Sequence, residues 1–258
     1  MRVVSVHSDA LVVTSRLWQT NAVALRSGGE AMLVDSPYFP DELGALPALL
    51  ADSGFEPAAL LATHADFDHL LGRLAFPSLS LGVGQTTLER LHRDPGEAQR
   101  ELRDHDAEHY VTRDGPLALG QLQGLPVPGK LGLGEEVELE LHPAEGHTSD
   151  GMAVFASHCG VLCAGDYLSG VEIPWISTGG SVDEYQATLA RLAPLVERVD
   201  VVVPGHGSPH ARDVALRILD EDVDYLDALE RSGDAAPLPT GRDTKAQRSI
   251  HEGNVAAL

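Results

Sequence analysis

Four side chains able to bind a cation crowd into one short run of this sequence: His64, Asp66, Asp68 and His69, within Thr63-His64-Ala65-Asp66-Phe67-Asp68-His69. Imidazole and carboxylate are ligands for zinc, iron and manganese, and a cluster this dense is costly to hold together without a cation. Taken alone, the run also fits a polar cap on the solvated end of a strand. That bland reading weakens once three further positions are added. Gly146-His147, Gly165-Asp166 and Gly205-His206 each come after an apolar stretch. A glycine lets the backbone turn sharply, so the next side chain can point into a shared crevice. Together these positions predict one metal centre built from His64, Asp66, Asp68, His69, His147, Asp166 and His206.

Such a centre needs strands to end beside it. Short β-rich runs at Val3 to Val6, Leu11 to Thr14, Ala22 to Leu25 and Ala31 to Val34 read as an antiparallel meander, with a hairpin turn at Gly28-Gly29. Leu43, Leu46, Leu49 and Leu50 give Asp41 to Asp52 a helical period, and Ala58 to Thr63 reads as a buried strand feeding the dense cluster. Gly84 to Tyr110 reads as polar helix, and Gly115 to Gly134, rich in glycine, proline and leucine, as insertion and loops. Val137, Leu139 and Leu141 alternate with glutamates in the period of a half-exposed strand. Met152 to Phe155, Val161 to Ala164 and Val199 to Val203 are the remaining strands. Ser181 to Glu184 has the spacing of a capping box opening a helix to about Leu195. Ser208 and Pro209 suit the cap and first position of a last helix ending near Glu230. Beyond Ser232 the chain reads as a linker or an arm packed on the body. This order suggests two similar halves, which a two-sheet sandwich flanked by helices accommodates.

The bulk properties narrow the function. Eighteen basic against thirty-nine acidic residues give a net charge of −21, a field that repels phosphate backbones and anionic membrane surfaces. Nucleic acid and membrane are therefore not expected partners, a small-molecule substrate is, and a homo-oligomer is left open. No stretch approaches the roughly 18 apolar residues of a membrane helix, and the start lacks a basic segment followed by a long apolar run. The expected location is cytoplasmic. Cys159 and Cys163, the only cysteines, read as small core residues of a strand pair. His105 and His109, four apart beside several acidic residues, read as a solvated helix face rather than a second site. Tyr167 and Trp175, close after Asp166, are candidates to line a substrate pocket, with ordinary packing as the alternative.

The ligand pattern resembles the metallo-β-lactamase superfamily, with its His-x-His-x-Asp-His loop followed by a separate His, Asp and His. The likeness extends from about Val3 to Glu230, and Asp35 and Pro204-Gly205-His206-Gly207 also resemble family features. It implies an α+β fold, an αββα four-layer sandwich of two mixed β-sheets flanked by helices. Residues 1–231 would form that domain and 232–258 a C-terminal tail. By the same resemblance, His64, position 66 and His147 would hold one metal, Asp68, His69 and His206 a second, and Asp166 would bridge both. The implied cofactors are two divalent metal ions, with zinc as the leading candidate and iron or manganese as alternatives.

Asp66 departs from the pattern, since most hydrolases of the family carry histidine there. An acidic residue at that place resembles the flavodiiron proteins and some di-iron oxygenases, where it is glutamate. Aspartate makes the centre one unit less positive than histidine would, which favours harder or more oxidised metal. On that count Asp66→His should restore the usual ligand and turn preference toward zinc. The expected activity is hydrolysis of an ester, thioester, lactone or amide by metal-activated hydroxide, with Asp68 as the catalytic proton carrier. A di-iron oxidoreductase or oxygenase of the same fold is the alternative, followed by a non-catalytic metal-binding protein.

Overall fold

The structure, a computed structural model, describes residues Met1–Leu258. The first half runs β1 (Arg2–His7), β2 (Ala10–Thr14), β3 (Asn21–Ser27), β4 (Glu30–Asp35), α1 (Pro40–Asp52), β5 (Pro57–Ala62), α2 (Gly72–Ala75), β6 (Leu81–Gly84), α3 (Gln85–Arg93), α4 (Glu97–Glu108) and β7 (Leu122–Leu125). The second runs β8 (Gly129–Leu133), β9 (Val137–Pro143), β10 (Met152–Ala156), β11 (Val161–Cys163), α5 (Val182–Val196), β12 (Val201–Val203), β13 (His210–Ala211), α6 (Arg212–Ser232) and α7 (Lys245–Ala256).

The seven strands β1 to β7 lie in chain order in one sheet, and the other six form a second sheet in the order β13-β12-β11-β10-β9-β8. Both sheets are mixed. The first is antiparallel through β4 and parallel from β4 to β7. The second is antiparallel except where β11 meets β12.

Side-chain alternation explains the layering. Within β2 to β4, Val12, Val23, Leu25, Met32 and Val34 face a central core shared with Leu139, Leu141, Val154 and Val161 of the other sheet. Their neighbours Leu11, Val13, Ala22, Ala24 and Leu33 point the opposite way, onto α1 and α4 through Leu43, Leu46, Leu50 and Leu102. A third core packs Phe155 and Leu162 against Leu189 and Leu192 of α5 and Leu226 and Leu229 of α6. Strands covered on both faces read as continuous apolar runs, as β2 and β4 do here. The expected αββα arrangement of two mixed sheets between helices is thus present, with Cys159 and Cys163 as free residues in the central core.

Two expectations need correction. Gly115 to Gly134 is not only loops, because β7 and β8 lie within it. Each is an edge strand of four or five residues containing glycine, so neither produces a clear alternation. The last long helix begins at Arg212 after an Ala211 cap, not at Ser208-Pro209, because His210 and Ala211 first pair with β12. Beyond Ser232 the packed-arm reading is the one found, as α7, whose buried anchors are the polar residues Gln247, His251 and Asn254. No helix is long and apolar enough to cross a membrane.

Asn254 is wholly buried and ties α7 to the loop after β11. Its Oδ1 accepts from Ile176 N–H at 2.8 Å, and its Nδ2 donates to Pro174 O at 2.7 Å and to Tyr225 Oη at 3.0 Å. Asn254→Ala should cost about 1–3 kcal/mol for each buried group left unpaired. Urea unfolding measures this, and a loss below ~1 kcal/mol would show that water replaces the amide.

Candidate metal centre

Every candidate ligand sits where a strand ends at the same rim of the sandwich. β5 delivers His64 and Asp66, and a single 3-10 turn at Phe67–His69 then brings Asp68 and His69 inward. His147 follows β9, Asp166 follows β11 and His206 follows β12. Two glycines are required by close approach. A Cβ on Gly205 would lie 2.0 Å from Asp166 Oδ1, and one on Gly146, at φ 120°, would lie 2.2 Å from Tyr185 N. Glycine at these places lets the His206 and His147 loops close over the centre.

All seven side chains converge. His64, Asp66 and His147 form one group and Asp68, His69 and His206 a second, each with ligand atoms within 4.8 Å of one another. Asp166 lies between them. Its Oδ2 is 3.7 Å from His64 Nε2, 3.3 Å from His147 Nε2 and 3.4 Å from His206 Nε2, while Oδ1 is 3.2 Å from His69 Nε2. Asp66 Oδ2 lies 3.7 Å from His64 Nε2 and 3.5 Å from His147 Nε2. Asp68 Oδ2 lies 3.6 Å from His69 Nε2 and 3.4 Å from His206 Nε2.

The outer nitrogens of three of the imidazoles are hydrogen-bonded away from the centre, and that of His69 faces a carboxylate. His147 Nδ1 meets Trp175 O at 2.8 Å, His206 Nδ1 meets Trp18 O at 3.3 Å, and His64 Nδ1 meets Thr63 Oγ1 at 3.1 Å. His69 Nδ1 is 3.0 Å from Asp35 Oδ2. Asp35 is itself held by Thr63, through N–H to Oδ1 at 2.8 Å and Oγ1 to Oδ2 at 2.9 Å. These contacts turn Nε2 of all four rings inward, as metal-binding histidines require.

The donor set fits a cation. Among buried polar atoms without a hydrogen-bond partner are the Nε2 atoms of His64, His69 and His147 and Asp166 Oδ1. Buried polar atoms rarely stay unpaired. Zinc bonds of about 2.0–2.2 Å would place tetrahedral neighbours roughly 3.3–3.6 Å apart, close to the separations found here.

The electrostatics follow from the same crowding. Burial opposes charge on His147 and His206, but Asp66 and Asp166 lift the first to about 9. Glu172, Asp166 and Asp68 lift the second to about 10. Burial likewise opposes ionised Asp66, yet His147 and His64 hold it well below the usual carboxylate range.

The centre opens on a cleft of about 1170 Å³. Trp18, Phe67, His105, Glu172 and Trp175 line it, and Gln247 and Ile250 of α7 form part of its wall. Trp175 is 42% exposed there. Tyr167 is not in the cleft. It is 2% exposed behind the His147 loop, where its hydroxyl accepts from His147 N–H at 2.9 Å and donates to Glu145 O at 2.7 Å. His105 forms no ligand group. Its Nδ1 lies 2.9 Å from Tyr38 Oη and its ring packs on Trp18 at 4.3 Å between centroids.

Sequence reasoning missed Arg90, Asp150, Glu172 and the cleft face of α7. Arg90 carries no motif, and its only signal is a basic residue in a polar helix. Asp150 lies three residues beyond His147, and that proximity was its one available cue.

Two mixed sheets between helical layers, with a histidine and aspartate centre at the rim where their strands end, define the αββα metalloprotein class. The chain belongs to the metallo-beta-lactamase superfamily, whose family model matches residues 15–206. Solved structures agree on the fold. A metallo-beta-lactamase family protein from Thermus thermophilus is 20% identical, with a TM-score of 0.68 over 88% of this chain and 82% of that one. BLEG-1, a B3 metallo-beta-lactamase, is 25% identical, with a TM-score of 0.60 over 80% and 95%. A protein solved in a di-iron-bound form is 24% identical, with a TM-score of 0.61 over 80% and 97%. None of the curated proteins matches the sequence significantly.

Proposed function

We propose that this protein is a metal-dependent hydrolase with a dinuclear centre, acting on a small molecule that carries an ester, thioester, lactone or amide. The observation that carries the reading is that the inward Nε2 atoms of His64, His69 and His147 and the Oδ1 of Asp166 are left without hydrogen bonds at one strand-end rim, among seven converging ligand side chains. His64, Asp66 and His147 would hold one ion, Asp68, His69 and His206 the other, and Asp166 both. When bound, the ions supply Lewis acidity, which makes hydroxide available near neutral pH and polarises a carbonyl oxygen.

The chain's own residues supply the rest. Asp68, which lines the cleft with its Oδ2 3.6 Å from His69 Nε2 and 3.4 Å from His206 Nε2, would take a proton from the attacking water and return it to the leaving group. Trp18 and Trp175 give the substrate apolar walls with polar edges. With a net charge of −21, neither nucleic acid nor an anionic membrane surface is a suitable partner.

Elemental analysis after gentle purification, with turnover of a panel of esters, thioesters and lactones, tests the proposal. The expected result is close to two metal ions per chain. A ratio of one or less, unchanged by added zinc, iron or manganese, removes the dinuclear centre. Iron chemistry is the second reading, favoured by the carboxylate of Asp66 among the first ligand group. Oxygen-dependent turnover by the iron-loaded protein, without ester cleavage by any form, would establish it instead.

A further inference from the structure

Asp66 is not free to act as an ordinary carboxylate. Arg90 of α3, only 7% exposed, places Nη1 2.9 Å from Asp66 Oδ1 and 2.8 Å from Asp150 Oδ1. Asp150 is pinned in turn by Thr148 Oγ1 at 3.0 Å and by Ala65 N–H at 2.9 Å. The guanidinium is therefore fixed between the two loops that carry His64 and His147. The oxygens of Asp66 are divided, with Oδ1 on the arginine and Oδ2 facing both imidazoles.

We propose that Asp66 and Arg90 act as one composite ligand that takes the place of a histidine. Arg90 is the positioning residue. It fixes the carboxylate so that a single oxygen, Oδ2, faces the cation, and, shared with Asp150, it offsets part of the negative charge that aspartate adds relative to histidine. The inference rests on the metal-centre reading above and goes beyond it. It also alters the expectation that Asp66→His simply restores the family ligand. Guanidinium stays protonated in proteins. An imidazole at position 66 would thus leave Arg90 with Asp150 and, at 3.9 Å, Glu97, a buried guanidinium that has lost its contact to the ligand loop beside the place a cation must occupy. Losing one partner of a buried charged pair is costly for that reason.

The test is a double-mutant cycle read by zinc affinity, measured by competition with a chromophoric chelator, and by melting temperature. Its members are the wild type, Asp66→His, Arg90→Met and the doubly substituted protein. Each single change should weaken one zinc ion at least about tenfold, in line with coupling between contacting residues, and the double change should recover to within roughly threefold of the wild type. A merely structural Arg90 would make Arg90→Met equally damaging with either residue at position 66, and that additivity overturns the proposal. Zinc held as tightly by Asp66→His as by the wild type overturns it too. Should Arg90→Met fail to fold, Arg90→Gln replaces it in the cycle with the same expected recovery. Wild-type protein that binds no zinc, iron or manganese would remove the metal reading itself, an outcome distinct from additivity in a protein that does bind.

Discussion

Asp68→Asn is expected to lower kcat/KM for a cleaved ester or lactone by about 10²–10⁴-fold, the range that a lost proton carrier costs. The substitution keeps the side-chain volume but removes the charge and the ability to hold a proton at Oδ2. Its effect on the fold should be small when metal is kept saturating, since Asp68 would also be a ligand of the second ion. The backbone carbonyl of Asp68 accepts from Ser36 Oγ at 3.1 Å, and that bond does not involve the side chain. Steady-state kinetics and circular dichroism melts on the same preparation separate the two effects. Near-normal turnover would take Asp68 out of the reaction, and a collapsed melt would assign it a structural role.

The second large effect is expected on metal removal. A ligand present at about a thousand times its Kd stabilises the native state by roughly 4 kcal/mol, and each kcal/mol shifts the melting temperature of a chain this size by about 2–4 °C. Loss of each ion should therefore lower Tm by about 8–16 °C, and stoichiometric zinc, iron or manganese should restore it. Differential scanning fluorimetry with and without a strong chelator measures this. An unchanged Tm in a sample shown to have lost its metal would mean that the cluster holds its shape by protonation alone, with His147 and His206 carrying the compensating charge.

The residues legible in the sequence share one property: their meaning lies close by in the chain. His64 to His69 are contiguous, and His147, Asp166 and His206 repeat one local context of apolar strand, glycine and ligand. Covered strands such as β2 and β4 read clearly because burial on both faces leaves no polar interruption. Arg90 was illegible because its partners lie 24 residues before it and 60 after it, and an arginine in a polar helix looks solvated. The last helix, α7, was illegible for a different reason. Its anchors Gln247, His251 and Asn254 are polar, so burial left no apolar period to count. The strands β7 and β8 failed as edges, short and glycine-bearing, where pairing comes from one side only.

The chain passes between the two sheets once, between Leu125 and Gly129, so each sheet is a contiguous segment of sequence. His64 to His69 belong to the first sheet's rim, and His147, Asp166 and His206 to the second's. A cation gripped by His69 and His206 would tie together points 137 residues apart in the chain. A disulfide closing a loop of about 100 residues removes close to 5 kcal/mol of unfolded-chain entropy. This protein has no disulfide, since both cysteines are free and buried. Its metal centre would therefore double as a rivet across the seam, and separating the sheets during unfolding would require the ions to leave first. Metal occupancy would then set how long the folded chain lasts as well as how fast it turns over.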